Sequence, residues 1–316
     1  MKTSSAKKIF LDRSSTLSST LLDGPTSSLL VSILPHTDPH NTKARILRNG
    51  LAITAFVILE DFLKTRIGEI FEGIKFHSVP FASLYDEIKV ATTLNAIDSI
   101  KSRAIYLKRS GKDWLTFIQQ ETHKISSTST SRYRLSNYSL GWDKSNVRSD
   151  DISLWLKILR IEGGWQTIQK ITSKAEVTLV SPESIYQAAI ERRHSAAHDP
   201  ASDALYTDLT QFTNDAKAIS LAFDTLVTKV LTEINKPNLL LLSGNKKISD
   251  SDIDFRFIIN DGIYWREYKN TSRRALKRSK SLNLAIKEAK KRAKPKGEIL
   301  VIKNNLNSIV DWLYMD

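Results

Sequence analysis

The sequence predicts a mainly α-helical protein, a helical bundle followed by a small C-terminal α+β domain. Two observations carry this reading. Apolar residues recur at helical spacing across residues 41–236, and beyond residue 252 the pattern changes to alternation around turn residues. The polar and Leu-rich stretch 237–251 reads as the linker between them, and residues 1–40, rich in Ser, Thr and Pro, as a loose N-terminal segment. With 316 residues, the chain exceeds what one core commonly serves, so a large and a smaller domain are expected.

The elements follow in order. NTKARILRNGLAITAFVILEDFLKTRIGEIFEGI places Ile46, Leu51, Phe56, Phe62 and Ile70 on a broad helical face, and Gly73 is a natural stop. FASLYDEIKVATTLNAIDSIKSRAIYL, KDWLTFIQQETH and DDISLWLKILRI each read as a helix, the last capped by Ser149 or Asp150. SSTSTSRYRLSNYSLGWDKSN is a polar segment holding Arg132, Tyr133, Arg134, Tyr138 and Trp142. It is either a solvated loop with its aromatics tucked inward, or a loop that stacks on nucleic-acid bases through rings and guanidinium planes.

SPESIYQAAIERRHSAAHDP has Ser181 as N-cap, Pro182 at the first helical position and Glu183 in the first turn. LYTDLTQFTNDAKAISLAFDTLVTKVLTEI then closes the bundle as a long amphipathic helix. Beyond the linker, DIDFRFIIN and IYWREYKN flank Asp261-Gly262, a dipeptide suited to a tight type I′ hairpin turn. SLNLAIKEAKKRAK is a basic helix, and EILVIK and SIVDWLYM supply two more strands.

Composition narrows the chemistry. The absence of cysteine removes disulfides, thiolate nucleophiles and Cys-based zinc sites. No apolar run reaches membrane-spanning length and the first residues lack a signal-peptide core, so a cytoplasmic protein with no membrane partner is expected. A net charge of +13 points to a polyanionic partner such as nucleic acid.

Arg193, His194 and His198 stand at the end of a helical pattern, just before Asp199-Pro200. Asp199 is pushed out of the α region by the proline, so His198 falls in the last turn or just beyond it, where Arg and His can converge on one cleft. The helix C-terminus favours imidazolium and the neighbouring Arg192 and Arg193 oppose it, a balance suited to a group that takes and gives protons. With no thiol and no evident metal set, Arg plus His fits RNA transesterification: an imidazole handles the proton of a ribose 2′-OH or of the 5′-oxygen, and the guanidinium pairs with phosphoryl oxygens. One imidazole does not easily serve both transfers, so a second copy in a homodimer would complete the site. The competing readings are helix capping, and zinc at HxxxH spacing without the Glu of HExxH. DSDID at 250–254 lacks the Gly and Glu of a calcium loop. No metal and no cofactor is expected.

RRHSAAH resembles the R-x(4-6)-H motif of the HEPN superfamily, in its RiboL-PSP-HEPN form. The resemblance covers about residues 42–235, with the early helix containing ILRNGLAITAFVILEDFLKTRI and one more long helix after the motif. It implies a HEPN-like bundle of four to five helices, a metal-independent endoribonuclease and dimerisation that brings two motifs together. Arg193 and His198 take the invariant positions, His194 the variable polar one; Asp199 stands where a Gly commonly follows. Glu60 is a supporting candidate for orienting the motif. A role as toxin or antiphage-defence effector, with an antitoxin or defence-system partner, is implied in the same way. The alternative is a catalytically silent HEPN fold that binds nucleic acid or protein.

From Asn260 to Lys303 there are 14 basic and four acidic residues, a net of +10, so most of the excess charge is concentrated there. Arg273, Arg274, Lys277, Arg278, Lys287, Lys290 and Lys291, with Arg132 and Arg134 of the loop, are the candidate RNA contacts. Residues 255–313 resemble domain of unknown function 2188 in the strand IYWREYKN, the helix LAIKEAKKRAK, and Gly297 before a β-rich end. That family implies a fold without an activity.

Overall fold

The computed structural model describes residues 4–23, 27, 39–142, 146–199, 201–269 and 274–315. The chain is mostly helical, with one five-stranded sheet near its C-terminus. Among the described residues the longer elements are the helices α1 (Ser5–Leu22), α2 (Pro39–Glu72), α3 (Asp86–Thr92), α4 (Leu94–Arg109), α5 (Trp114–Ser127), α6 (Ser149–Ile158), α7 (Trp165–Lys174), α8 (Pro182–His198), α9 (Tyr206–Asn235), the single turn α10 (Leu239–Leu242) and α11 (Leu282–Ala293). Two compact units result. The first gathers Met1–Leu59, Ile168–Ala222 and Asp250–Asp316; the second gathers Glu60–Thr167 and Phe223–Ser249.

The first unit holds the sheet, whose strands β1 (Phe255–Asn260), β2 (Trp265–Lys269), β3 (Lys277–Ser279), β4 (Ile299–Lys303) and β5 (Ile309–Leu313) lie in the order β3-β2-β1-β4-β5. Only β1 and β4 pair in parallel, because α11 carries the chain back across one face between them. Ala285, Ala289 and Ala293 line the buried side of α11, and the small side chains let it lie close on Ile258, Leu300 and Ile302. Its lysines consequently point outward.

Residues 5–22, where the composition suggested a loose segment, form α1, which is tied to the end of the sheet. Ala6, Phe10, Ser14, Leu17 and Leu21 are buried at helical spacing, and Lys7 reaches the sheet, with Nζ bonded to the Trp312 carbonyl and 2.7 Å from Asp311. The Ser and Thr residues that mimic disorder donate their hydroxyls back into the helix, as from Ser18 to the Ser14 carbonyl (2.8 Å) and Thr20 to the Thr16 carbonyl (2.9 Å). The apolar LLVSIL stretch and the rest of the expected loose segment lie outside the described residues, apart from those named above.

Several local expectations are corrected. The 81–107 pattern is split into α3 and α4 at Thr93, whose hydroxyl bonds the Lys89 carbonyl at 2.6 Å and competes with the helical ladder. Arg148 caps α6, its N–H bonded to the Asp151 carboxylate at 2.9 Å, in place of Ser149 or Asp150. The β1–β2 connection is a wider loop, because Asp261 uses its carboxylate to accept from the Ile263 and Tyr264 N–H groups and only Gly262 adopts positive φ, +95°. A type I′ turn needs positive φ at both central residues. Strand β3 and helix α7 had no recognised sequence signal.

In the second unit, Arg66 is buried against Asp224, 2.6 Å from the Thr228 hydroxyl and 3.1 Å from Glu69, so the later part of α2 is locked to the later part of α9. Gly68 sits under Asn137. A Cβ there would come within 2.7 Å of the Asn137 carbonyl oxygen, so the glycine permits a close approach of the 128–142 loop.

Candidate functional site

Helix α8 starts as its sequence dictates: the Ser181 hydroxyl accepts from the Ser184 N–H at 3.1 Å and Pro182 opens the first turn. Tyr186 is buried with its ring 5.5 Å from that of Phe56, which anchors α8 on the first part of α2. Farther along, Ala196 packs with Leu51, Ala52, Ala204 and Leu209. Both ends of the helix are therefore fixed.

The helix remains regular through His198. His194 and His198, four residues apart, lie one above the other with ring centroids 4.7 Å apart and planes at 51°, both exposed. Among the described residues neither imidazole hydrogen-bonds to another side chain or to a helix-end carbonyl. Arg193 is half-buried, its Nε enclosed without a hydrogen-bond partner. In a regular helix positions 193 and 198 lie about 140° apart around the axis. The structure thus brings the two histidines together and turns Arg193 of the same helix away from His198. As the following proline predicts, Asp199 lies outside the helix, with φ −111° and ψ 109°, and His198 falls in its last turn. This extended conformation also explains why a Gly is unnecessary there.

The segment after the motif is held by groups that the sequence reading passed over. Arg48 on α2 bonds the Asp203 carboxylate and the Ala204 carbonyl (2.7 Å), while Asn49 donates to the Ser202 carbonyl (2.7 Å) and accepts from the Ala204 N–H (3.1 Å). Two polar residues inside an otherwise apolar helical face were the signal. Asp199 adds a turn by accepting from the Ala201 N–H at 2.8 Å. Arg192 lies 3.6 Å from Asp208. Burial pushes the Asp215 carboxyl up, a shift moderated by Gln211 and by Arg192.

Glu60 belongs to the second unit, where its carboxylate accepts from the Val147 N–H at 2.6 Å and pairs with Lys64 at 3.3 Å. Its contacts are those of a loop anchor. Arg132 and Arg134 are exposed, but Tyr133 between them is buried with its hydroxyl on the Val79 carbonyl (2.7 Å), and Tyr138 packs edge-on against Phe117. Those rings face the protein. Arg274, Lys277, Arg278, Lys287, Lys290 and Lys291 are exposed in the first unit, whereas Arg273 lies outside the described residues.

Among the described residues no helix is long and apolar enough to cross a membrane, and no three His, Asp or Glu side chains gather as a possible metal site. No protein-family model, curated protein or solved structure matches the chain.

Proposed function

We propose that this chain is a metal-independent endoribonuclease of the HEPN kind, which cleaves RNA by 2′-OH transesterification and works as a homodimer. The observation that carries the reading is the exposed His194–His198 pair, 4.7 Å between centroids, on a helix end fixed by packing at Tyr186 and Ala196. Adjacent imidazoles can divide the work of acid and base. One takes the proton of the ribose 2′-OH as O2′ forms its bond to phosphorus; the other, protonated, gives its proton to O5′ as the P–O5′ bond breaks. The products are a 2′,3′-cyclic phosphate and a 5′-OH end. Arg193 of the same helix faces away from His198, so its charge reaches the phosphoryl oxygens of this site most directly from a second protomer, which gives the dimer a chemical purpose. A toxin or antiphage-defence role, with an antitoxin or defence partner, rests on the family resemblance.

The test is cleavage of single-stranded RNA in excess EDTA with end mapping. His198→Ala and His194→Ala should each lower the rate about 10²–10⁴-fold, whereas Lys112→Ala, an exposed residue of the second unit, should leave it unchanged. Mixing Arg193→Ala with His198→Ala protomers should restore activity that neither parent shows. Cleavage that persists in both histidine variants removes α8 from the mechanism. RNA binding without cleavage in the intact chain would establish instead the silent binding module, which the charge concentrated in residues 260–303 favours as the second reading.

A further inference from the structure

The first unit contains a cleft of about 210 Å³ far along the chain from α8, between the β2–β3 edge of the sheet and α11. In the β2–β3 ladder Trp265 pairs with Ser279 and Glu267 with Lys277, so these four side chains share the face that α11 covers. Leu284 and Ala285 of α11 form an apolar wall opposite Trp265, and Glu288 and Arg292 lie one and two turns farther on. The volume is below the roughly 300–1,000 Å³ of drug-sized pockets. It suits one flat ring with a short polar appendage.

Glu267 and Arg292, which line the cleft, belong to a buried ionic cluster beneath it. Arg256 and Glu267 are each 2% exposed and 2.6 Å apart, Glu298 closes on Arg256 at 2.7 Å, and Arg292 reaches Glu267 from the helix, with its Nε at 2.9 Å. A buried ionic cluster of this kind adds little stability beyond what apolar side chains would give at the same positions. It does fix geometry: Glu267 holds the Arg292 guanidinium in a fork, and Arg292 remains a third exposed at the cleft wall. Lys277 stands exposed at the mouth, while Arg278, the next residue of β3, turns to the other face, where its guanidinium lies 5.3 Å from the Tyr264 ring centroid. Glu288 has one oxygen on Lys291 at 2.8 Å and the other 4.0 Å from Arg292. An indole face beside aliphatic groups, a carboxylate at the wall and two cations at the opening match the parts of a nucleotide: a flat ring, an edge of N–H donors, and phosphate.

We propose that this cleft binds one nucleotide, seating its base between Trp265 and Leu284 with the phosphate toward Lys277 and Arg292. The same chemistry is offered by a free mononucleotide and by one unstacked unit of a single strand. The strand is the source to which the surrounding lysines of α11 point, and that choice rests on the RNA-directed reading above, though not on cleavage. Base stacking of this type adds about 1–3 kcal/mol per base, about 5- to 150-fold in affinity.

The experiment uses the full chain carrying His198→Ala, in EDTA, with labelled single-stranded RNA and an abasic strand of equal length, and GMP and UMP as competitors. Trp265→Ala should weaken the base-bearing strand about 5- to 150-fold and leave the abasic strand unchanged. Because Trp265 also packs on the sheet, Leu284→Trp provides a second route: Leu284 is 52% exposed, and the larger ring should fill the cleft and abolish the preference for bases without removing any charge. Lys287→Ala, outside the cleft, should weaken both strands alike. Competition by a mononucleotide as strong as by the strand would identify the free nucleotide as the source. Strand binding that neither Trp265→Ala nor Leu284→Trp alters overturns the cleft while leaving the RNA-directed reading intact. An intact chain that binds neither strand nor mononucleotide overturns both.

Discussion

At the scale of single residues, Glu267 shows how an acidic group can be kept ionised inside a small sheet. Burial alone would push its carboxyl up, but the hydrogen bonds and charges of Arg292 and Arg256 outweigh burial and hold it below the ordinary carboxylate range. A carboxylate depressed in the folded state stabilises the fold above its unfolded pKa, and that contribution disappears as pH falls through the folded value. Glu267→Gln leaves Arg256 short of a buried counter-charge and should cost about 3–5 kcal/mol near neutrality. Urea unfolding from neutral pH into the acid range should show a steep fall in stability for the natural chain and a flatter one for the variant. Identical acid limbs would show that the arginines do not hold this carboxylate. The stacking of His194 and His198 was legible from spacing alone, since four-residue separation stacks side chains on any regular helix. Arg48 and Asn49 were not, because a sequence pattern registers polar groups in an apolar face as interruptions and cannot show the carbonyls they meet.

At the scale of elements, long patterns with clear punctuation were readable and short or disguised ones were not. Helix α2 with Gly73 after it and α8 with its Ser181-Pro182 start follow from capping chemistry and apolar period. Strand β3 has three residues, too few for alternation to be recognised, and forms because β2 offers Glu267 and Trp265 as ladder partners. Helix α1 was hidden by its hydroxyls. Its role is nonetheless structural, since Lys7 ties it to Asp311 and the Trp312 ring of β5. Removing residues 1–23 should therefore speed amide hydrogen exchange at Val301 and Trp312 by orders of magnitude, while strands of the natural chain exchange near the global unfolding limit. Unchanged protection at those amides would reduce α1 to an accessory.

At the scale of the whole molecule, the compact units do not follow the order of the sequence. Residues 250–316 share a unit with α1 and α8, although the composition suggested a separable tail beyond a linker at 237–251. A chain stopped at Ser249 loses the sheet to which α1 is tied, so its thermal transition should broaden and fall by many degrees. Charge substitutions are the gentler probe. Lys287→Ala, Lys290→Ala and Lys291→Ala together touch only exposed groups and should leave the melting temperature in place. If all three contact phosphate, the log-log salt slope of RNA binding should shrink by about two, at roughly 0.7 per contact.

The same interleaving governs when the chain can finish folding during its own synthesis. Domains emerging from a ribosome fold in order when their segments are consecutive. Here the unit that carries His194 and His198 draws on segments from both halves of the chain, and it remains incomplete until β5 has been translated. A unit built in this way cannot close around the histidine helix before β5 has emerged, so the topology itself sets a delay between synthesis of α8 and completion of the fold that holds it.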